Sequence, residues 1–189
     1  MAPFYRFLLI GFFSIFLQFS GRAQSASSID KSTTYFNKGL QSLTLGDSLT
    51  AFQQFEQAYG FSMNDDQITY YYLMLSLHLE KPFAEQLAIK WIKQTNNVIY
   101  QSRLQYFLGE YYYQVKDAEK AILAYLKVPI QDLNNDEIIK MKFHLGYLYF
   151  KLGDWEKANN LLNSLRQVKT GLYYTDANYY AGFLALKNK

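Results

Sequence analysis

KFHLGYLYFKLGDWEKANNLLNSL, residues 142–165, reads as two short amphipathic helices joined by a tight turn. Leu145, Leu148 and Leu152 fall on one stripe, at spacings of three and four, as an apolar helix face requires. Gly146 interrupts that face with no side chain, so a neighbouring helix can approach closely. Leu152-Gly153-Asp154 breaks the run: glycine tolerates the turn geometry and aspartate caps the second helix. Ala158, Leu161, Leu162 and Leu165 then make a second stripe. A hairpin of this kind cannot bury both of its faces alone. It needs copies of itself to stack on.

The chain supplies those copies. Ala158 follows Gly146 by twelve residues, with Leu162 four later and Leu165 three after that. The same offsets link Gly39 to Ala51, Phe55 and Ala58. They link Ser76 to Ala88, Ile92 and Thr95, and Gly109 to Ala121, Tyr125 and Val128. The anchoring alanines stand 37, 33 and 37 residues apart. One copy carries little weight; recurrence is what makes the pattern specific. The alternative is an irregular helical bundle with coincidental alanines.

This small–small–large pattern resembles the tetratricopeptide repeat, a family with about 34 residues per unit. The resemblance covers roughly residues 33–168, with a further half unit in Tyr179, Tyr180, Gly182, Phe183 and Leu186. There are departures. The family's early tryptophan is Tyr35, Tyr72, Gln105 and Lys142 here, and its closing proline is Met63, Tyr100, Leu133 and Thr170. The second unit carries Ser76 for the glycine and Pro82 in its turn, where it is expected to start the partner helix, and the third hairpin is expected to span about Ile99 to Val128. The resemblance implies an all-α chain, an α-solenoid of antiparallel helix hairpins wound into a right-handed superhelix. The expected domain is 32–189, with units at about 32–63, 66–97, 99–129 and 136–170 and a terminal helix at 172–187.

Ahead of the domain, Arg6 precedes Phe7 to Phe19, FLLIGFFSIFLQF, and Gly21-Arg22-Ala23-Gln24 offers small residues for cleavage. That is the layout of a secretory signal peptide over 1–23, cut near Ala23. The Ala-Gln junction resembles leaders common in Bacteroidetes. The apolar run is short beside the about 20 residues of a membrane span, and the alternative is an uncleaved anchor. Residues 24–31, QSASSIDK, read as a flexible polar lead-in. The expected destination is the periplasm or the exterior, with no membrane span in the mature chain.

Removing Arg6 and Arg22 leaves 17 of the 19 basic residues against 16 acidic ones. Near-neutral balance argues against a nucleic-acid partner held by phosphate contacts. There is no cysteine, so stability must come from packing and not from disulfides.

Tests for chemistry are mostly negative. His78 and His144 sit in apolar stripes of different units and read as core residues, and no zinc pattern occurs. Asp132 to Asp136 superficially suggests a calcium loop, but Glu137 stands where the sixth-position glycine belongs and Phe143 where the glutamate belongs. Asp47, Asp117 and Asp154 are explained as helix caps. No catalytic, cofactor or metal site is expected.

What remains is surface. In the tetratricopeptide family the first helices of successive hairpins line a concave groove. The family's register maps Phe36, Leu40 and Leu43 of the first unit and Tyr70, Leu73 and Leu77 of the second onto that face. It adds Arg103, Tyr106, Glu110 and Tyr113 of the third, and Lys140, Phe143, Tyr147, Phe150 and Lys151 of the fourth. Tyrosine and phenylalanine bind peptides well, offering large contact area at small entropic cost. The expected role is a non-enzymatic interaction scaffold holding a peptide or partner helix, with Arg103 and Lys140 or Lys151 meeting a carboxylate. The alternative use of these aromatics is ordinary packing. A second reading starts from ANYYAGFLALKNK, which stops where a fifth unit's turn should begin with Phe183, Leu184 and Leu186 uncovered. It makes the chain the N-terminal periplasmic sensory region of a longer membrane signalling protein.

Overall fold

The computed structural model describes residues 27–167, 169 and 171–187. The expected signal peptide lies outside them. Among the described residues the secondary structure is helical, with no strand. The helices are α1 (27–44), α2 (Ser48–Phe61), α3 (Asp66–His78), α4 (Ala84–Gln94), α5 (Val98–Gln114), α6 (Ala118–Tyr125), α7 (Asn135–Leu152), α8 (Trp155–Arg166) and α9 (Tyr174–Lys187). A 3-10 turn, Ile130–Asp132, precedes α7. The chain divides into two compact units, 1–75 and 76–189.

In the first unit, α1 and α2 form a hairpin. Gly46 turns the chain at φ 76°, and the Asp47 carboxylate accepts from Thr50 N at 3.0 Å. A Cβ placed on Gly39 would lie 2.6 Å from the Phe55 ring, so glycine is what allows the crossing. Ala51 and Ala58 are fully buried on the same face. Phe36 packs on Phe55 and on Tyr71, both at 5.5 Å between ring centres. Tyr72 stacks on Tyr59 at 4.5 Å. Residues 27–31 of the expected flexible lead-in are helical. They form the first turns of α1, where Ile29 O accepts from Ser32 Oγ at 2.8 Å and Thr33 Oγ1 at 2.9 Å. Polar composition alone does not separate such a first turn from a loop.

In the second unit each helix from α4 to α9 packs on the next. The crossing of α5 and α6 repeats the Gly39 arrangement: a Cβ on Gly109 would meet the Tyr125 ring at 2.5 Å. At α7 and α8 the fit is looser, with Leu162 Cγ 3.0 Å from the equivalent point on Gly146. Ala88, Ala121 and Ala158 are fully buried, and Ser76 takes the glycine's place under cover. Asp117 and Asp154 cap α6 and α8. Asn134 and Glu137 form a reciprocal capping box on α7.

Several local expectations change. Pro82 does not open the partner helix; α4 begins at Ala84, and Phe83 before it is left-handed at φ 63°. The third hairpin's second helix stops at Tyr125, not Val128. Leu152 is exposed at the last residue of α7, and His78 is exposed at the end of α3, so neither belongs to the core. Leu184 is not left uncovered: it is fully buried, grouped with Phe143, Leu162 and Leu165, while Phe183 and Leu186 remain exposed. Lys187 Nζ sits 3.7 Å over the Trp155 ring and ties α9 to α8.

Candidate interaction face

In the second unit α5, α7 and α9 carry a connected run of rings. Tyr113 stacks on His144 at 3.7 Å with planes 5° apart. Tyr147 lies 6.2 Å from Tyr113 and 5.4 Å from Tyr180. Phe150 meets Tyr180 at 5.1 Å and Phe183 at 5.5 Å, both edge-on. Beneath this run, Phe143 stacks on Tyr173 at 4.2 Å. The helix period accounts for the order, since positions 143, 147 and 150 of α7 fall on one stripe. Tyr113, Tyr147, Phe150 and Tyr180 are half-buried, and Phe183 is 50% exposed. Burial pushes the Tyr113 hydroxyl up to about 12, so this ring presents a neutral donor at any ordinary pH.

A polar cluster underlies the rings. The Tyr125 hydroxyl donates to Glu110 Oε1 at 2.6 Å. His144 Nδ1 lies 3.0 Å from the same oxygen and 2.9 Å from the Tyr125 oxygen. Tyr125 has one proton and spends it on the carboxylate, so Nδ1 carries the proton that the other two contacts need. Lys140 Nζ closes on Glu110 Oε2 at 2.5 Å. Burial pushes the Glu110 carboxyl up, but the hydrogen bonds and charge of His144, with those of Lys140 and Tyr125, outweigh it and hold the group below its ordinary range. Burial and the Glu110 charge push the Tyr125 hydroxyl well above its ordinary range.

The residues expected on the groove therefore separate. Phe36, Tyr70, Leu73, Leu77, Tyr106 and Phe143 are buried and cannot meet a partner. Their rings and branches fill the spaces between helices, which is the packing alternative. Leu40 and Leu43 are half-buried on α1. Arg103 is committed within the chain: Nη1 donates to Asp132 O at 2.9 Å and Nη2 to Glu137 Oε1 at 2.7 Å. It does not stand ready for a partner's carboxylate, and Lys140 is engaged with Glu110. Lys151 is exposed on α7. Tyr113, Tyr147 and Phe150 lie along the run of rings, and Glu110 lies in the polar cluster beneath it. Sequence reasoning missed Tyr173 and Tyr180, and assigned Tyr125 and His144 only to packing. The available signal was periodic: His144 lies two positions before Gly146 and Glu110 one after Gly109, on facing helices of successive hairpins.

Among the described residues no group of three His, Cys, Asp or Glu is placed to hold a metal. No helix among them is long and apolar enough to cross a membrane.

No family model matches the sequence, and no curated protein matches it. Among solved structures, that of a MamA point mutant is similar, with a TM-score of 0.64 at 16% identity, covering 83% of this chain and 87% of that one. MamA is a tetratricopeptide-type helical repeat protein, and this chain has that fold.

Proposed function

We propose that the chain is a non-enzymatic interaction scaffold, and that its partner is a peptide segment or a helix laid on the rings of α5, α7 and α9. The observation that carries this is the half-buried run Tyr113–Tyr147–Tyr180–Phe150, continued by the exposed Phe183. Rings held edge-on by one another lose little entropy on binding, and tyrosine adds a hydroxyl for a peptide's main chain. Lys151, exposed and next to Phe150 in α7, favours a partner with an acidic group beside its apolar anchors. The fold supports the reading, because stacked helix hairpins offer extended surfaces for capture. The leader-like run 1–23 supports an exported protein, and sequencing the N-terminus of the mature protein tests that part.

The test of the face is selection of displayed peptides on the wild-type chain, followed by binding to Tyr147→Ala/Phe150→Ala/Phe183→Ala. Peptides with apolar anchors should be enriched, and the variant should bind them at least tenfold more weakly at unchanged helicity. Equal binding by the folded variant would move the partner to another surface.

A further inference from the structure

A different stripe of α5 borders a cleft of about 840 Å³ walled by α4 and α6. Its sides include Ile89 and Ile92 from α4, Leu108 from α5 and Leu123 from α6. Val98 and Ile99, at the start of α5, line its mouth and are largely exposed, as is Leu123 at 60%. The volume falls within the range of about 300–1,000 Å³ usual for small-ligand sites.

Two polar features distinguish the cleft from a packing defect. Ser102 lines it, is buried, and its Oγ has no hydrogen-bond partner. A buried hydroxyl left unpaired costs free energy; its Oγ is closed to solvent in this rotamer, and a ligand oxygen that it meets by turning about its Cα–Cβ bond into the cleft removes that cost. The rim is also basic. Lys93, Lys120 and Lys127 line the cleft against one carboxylate, that of Asp132. Lys120 is held by Glu85 at 3.2 Å and Asp117 at 3.4 Å, whereas Lys93 and Lys127 make no ion pair among the described residues.

The geometry points to a site for an amphiphilic carboxylate: an alkyl or acyl body against the isoleucine and leucine walls, an anionic head at Lys93 and Lys127, and one neutral oxygen on the body meeting Ser102. A peptide fits worse. It carries an amide at every residue, and the walls are side chains of helices whose backbone groups are already bonded, so most of those amides would be buried without partners. An amphiphile has few polar atoms, and the cleft offers a matching few. This site does not depend on the ring face of α5, α7 and α9, and either can fail without the other.

The probes are dodecanoate, 3-hydroxydodecanoate and dodecanol, titrated by calorimetry into the full chain below their aggregation concentrations. Dodecanoate should bind with one-to-one stoichiometry, and 3-hydroxydodecanoate several-fold more tightly. Lys93→Glu/Lys127→Glu should weaken dodecanoate at least tenfold while changing dodecanol less than twofold. Ser102→Ala should abolish the advantage of the hydroxylated probe. Leu123→Glu, at a position 60% exposed, should weaken all three at unchanged helicity. Binding that ignores the lysine pair and Leu123, or no saturable binding of dodecanoate, overturns the site. So does displacement of every probe by a peptide selected on the ring face.

Discussion

His144 Nδ1 and Glu110 Oε1 lie 3.0 Å apart although one residue is on α7 and the other on α5. Through them two successive hairpins share one proton-bearing contact under cover. The contact joins helices whose backbones have no hydrogen bonds to exchange, so between α5 and α7 the link is made by side chains.

The contact should make the fold acid-sensitive in a defined direction. The folded Glu110 carboxyl titrates below its ordinary value of 4.5: burial raises it, and the bonds from His144, Lys140 and Tyr125, with the His144 charge, outweigh burial. The unfolded chain therefore takes up this proton first as pH falls. The contribution is fully present above the ordinary value and is lost as pH drops through the folded one. Melting temperature followed by circular dichroism should fall below about pH 4.5 more steeply for wild type than for Glu110→Gln. Parallel curves for the two proteins would remove Glu110 from the account.

Two glycines inside helices should respond oppositely to alanine. On Gly109 a Cβ would meet the Tyr125 ring at 2.5 Å, whereas on Gly182 it would meet nothing within 4 Å. Gly109→Ala should cost about 1–3 kcal/mol through overpacking. Gly182→Ala in α9 should gain about 0.5–1 kcal/mol from helix propensity. Urea unfolding measures both. A stable Gly109→Ala would mean that Tyr125 can leave its slot without loss.

The glycine contrast also shows why the fold was legible in the sequence and the face only partly so. Gly39, Gly109 and Gly146 each stand sixteen residues before the side chain that fills the space above them: Phe55, Tyr125 and Leu162. That relation is periodic, and a periodic relation survives in a one-dimensional string. The caps were legible for a similar reason, since Asp47, Asp117 and Asp154 each act within three residues. Exposure is different. Tyr106 and Tyr113 lie seven positions apart on α5, nearly the same side of the helix. Yet Tyr106 is buried and Tyr113 half-exposed, because cover comes from neighbouring helices and varies along the axis. Arg103 was misread for the same cause: its partners, Asp132 O and Glu137, come from the connector and α7, 29 and 34 residues on.

Arg103 should resist replacement by lysine. Its guanidinium reaches Asp132 O at 2.9 Å and Glu137 Oε1 at 2.7 Å with separate nitrogens, which one ammonium on a flexible stem does poorly. Glu137 also completes the capping box, accepting from Asn134 N at 2.9 Å. Arg103→Lys should therefore loosen the connector as well as lose a bond, at about 1–2 kcal/mol. Hydrogen exchange should rise from 130 to 137 before it rises elsewhere. Uniform exchange across the chain would assign Arg103 a solvating role only.

Tyr125 does two jobs that substitution can separate. Its ring fills the space above Gly109, and its hydroxyl donates to Glu110 at 2.6 Å and meets His144 Nδ1 at 2.9 Å. Tyr125→Phe keeps the ring and leaves Glu110 short of one donor, which should cost about 1–3 kcal/mol. Tyr125→Ala also opens a cavity and should cost about 3–5 kcal/mol. Because the hydroxyl acts through Glu110, Tyr125→Phe and Glu110→Gln should not add: a double-mutant cycle should return a coupling of about 0.5–3 kcal/mol. Additive costs would mean that the hydroxyl and the carboxylate stabilise the crossing independently, and that the cluster beneath the ring face is not a single unit.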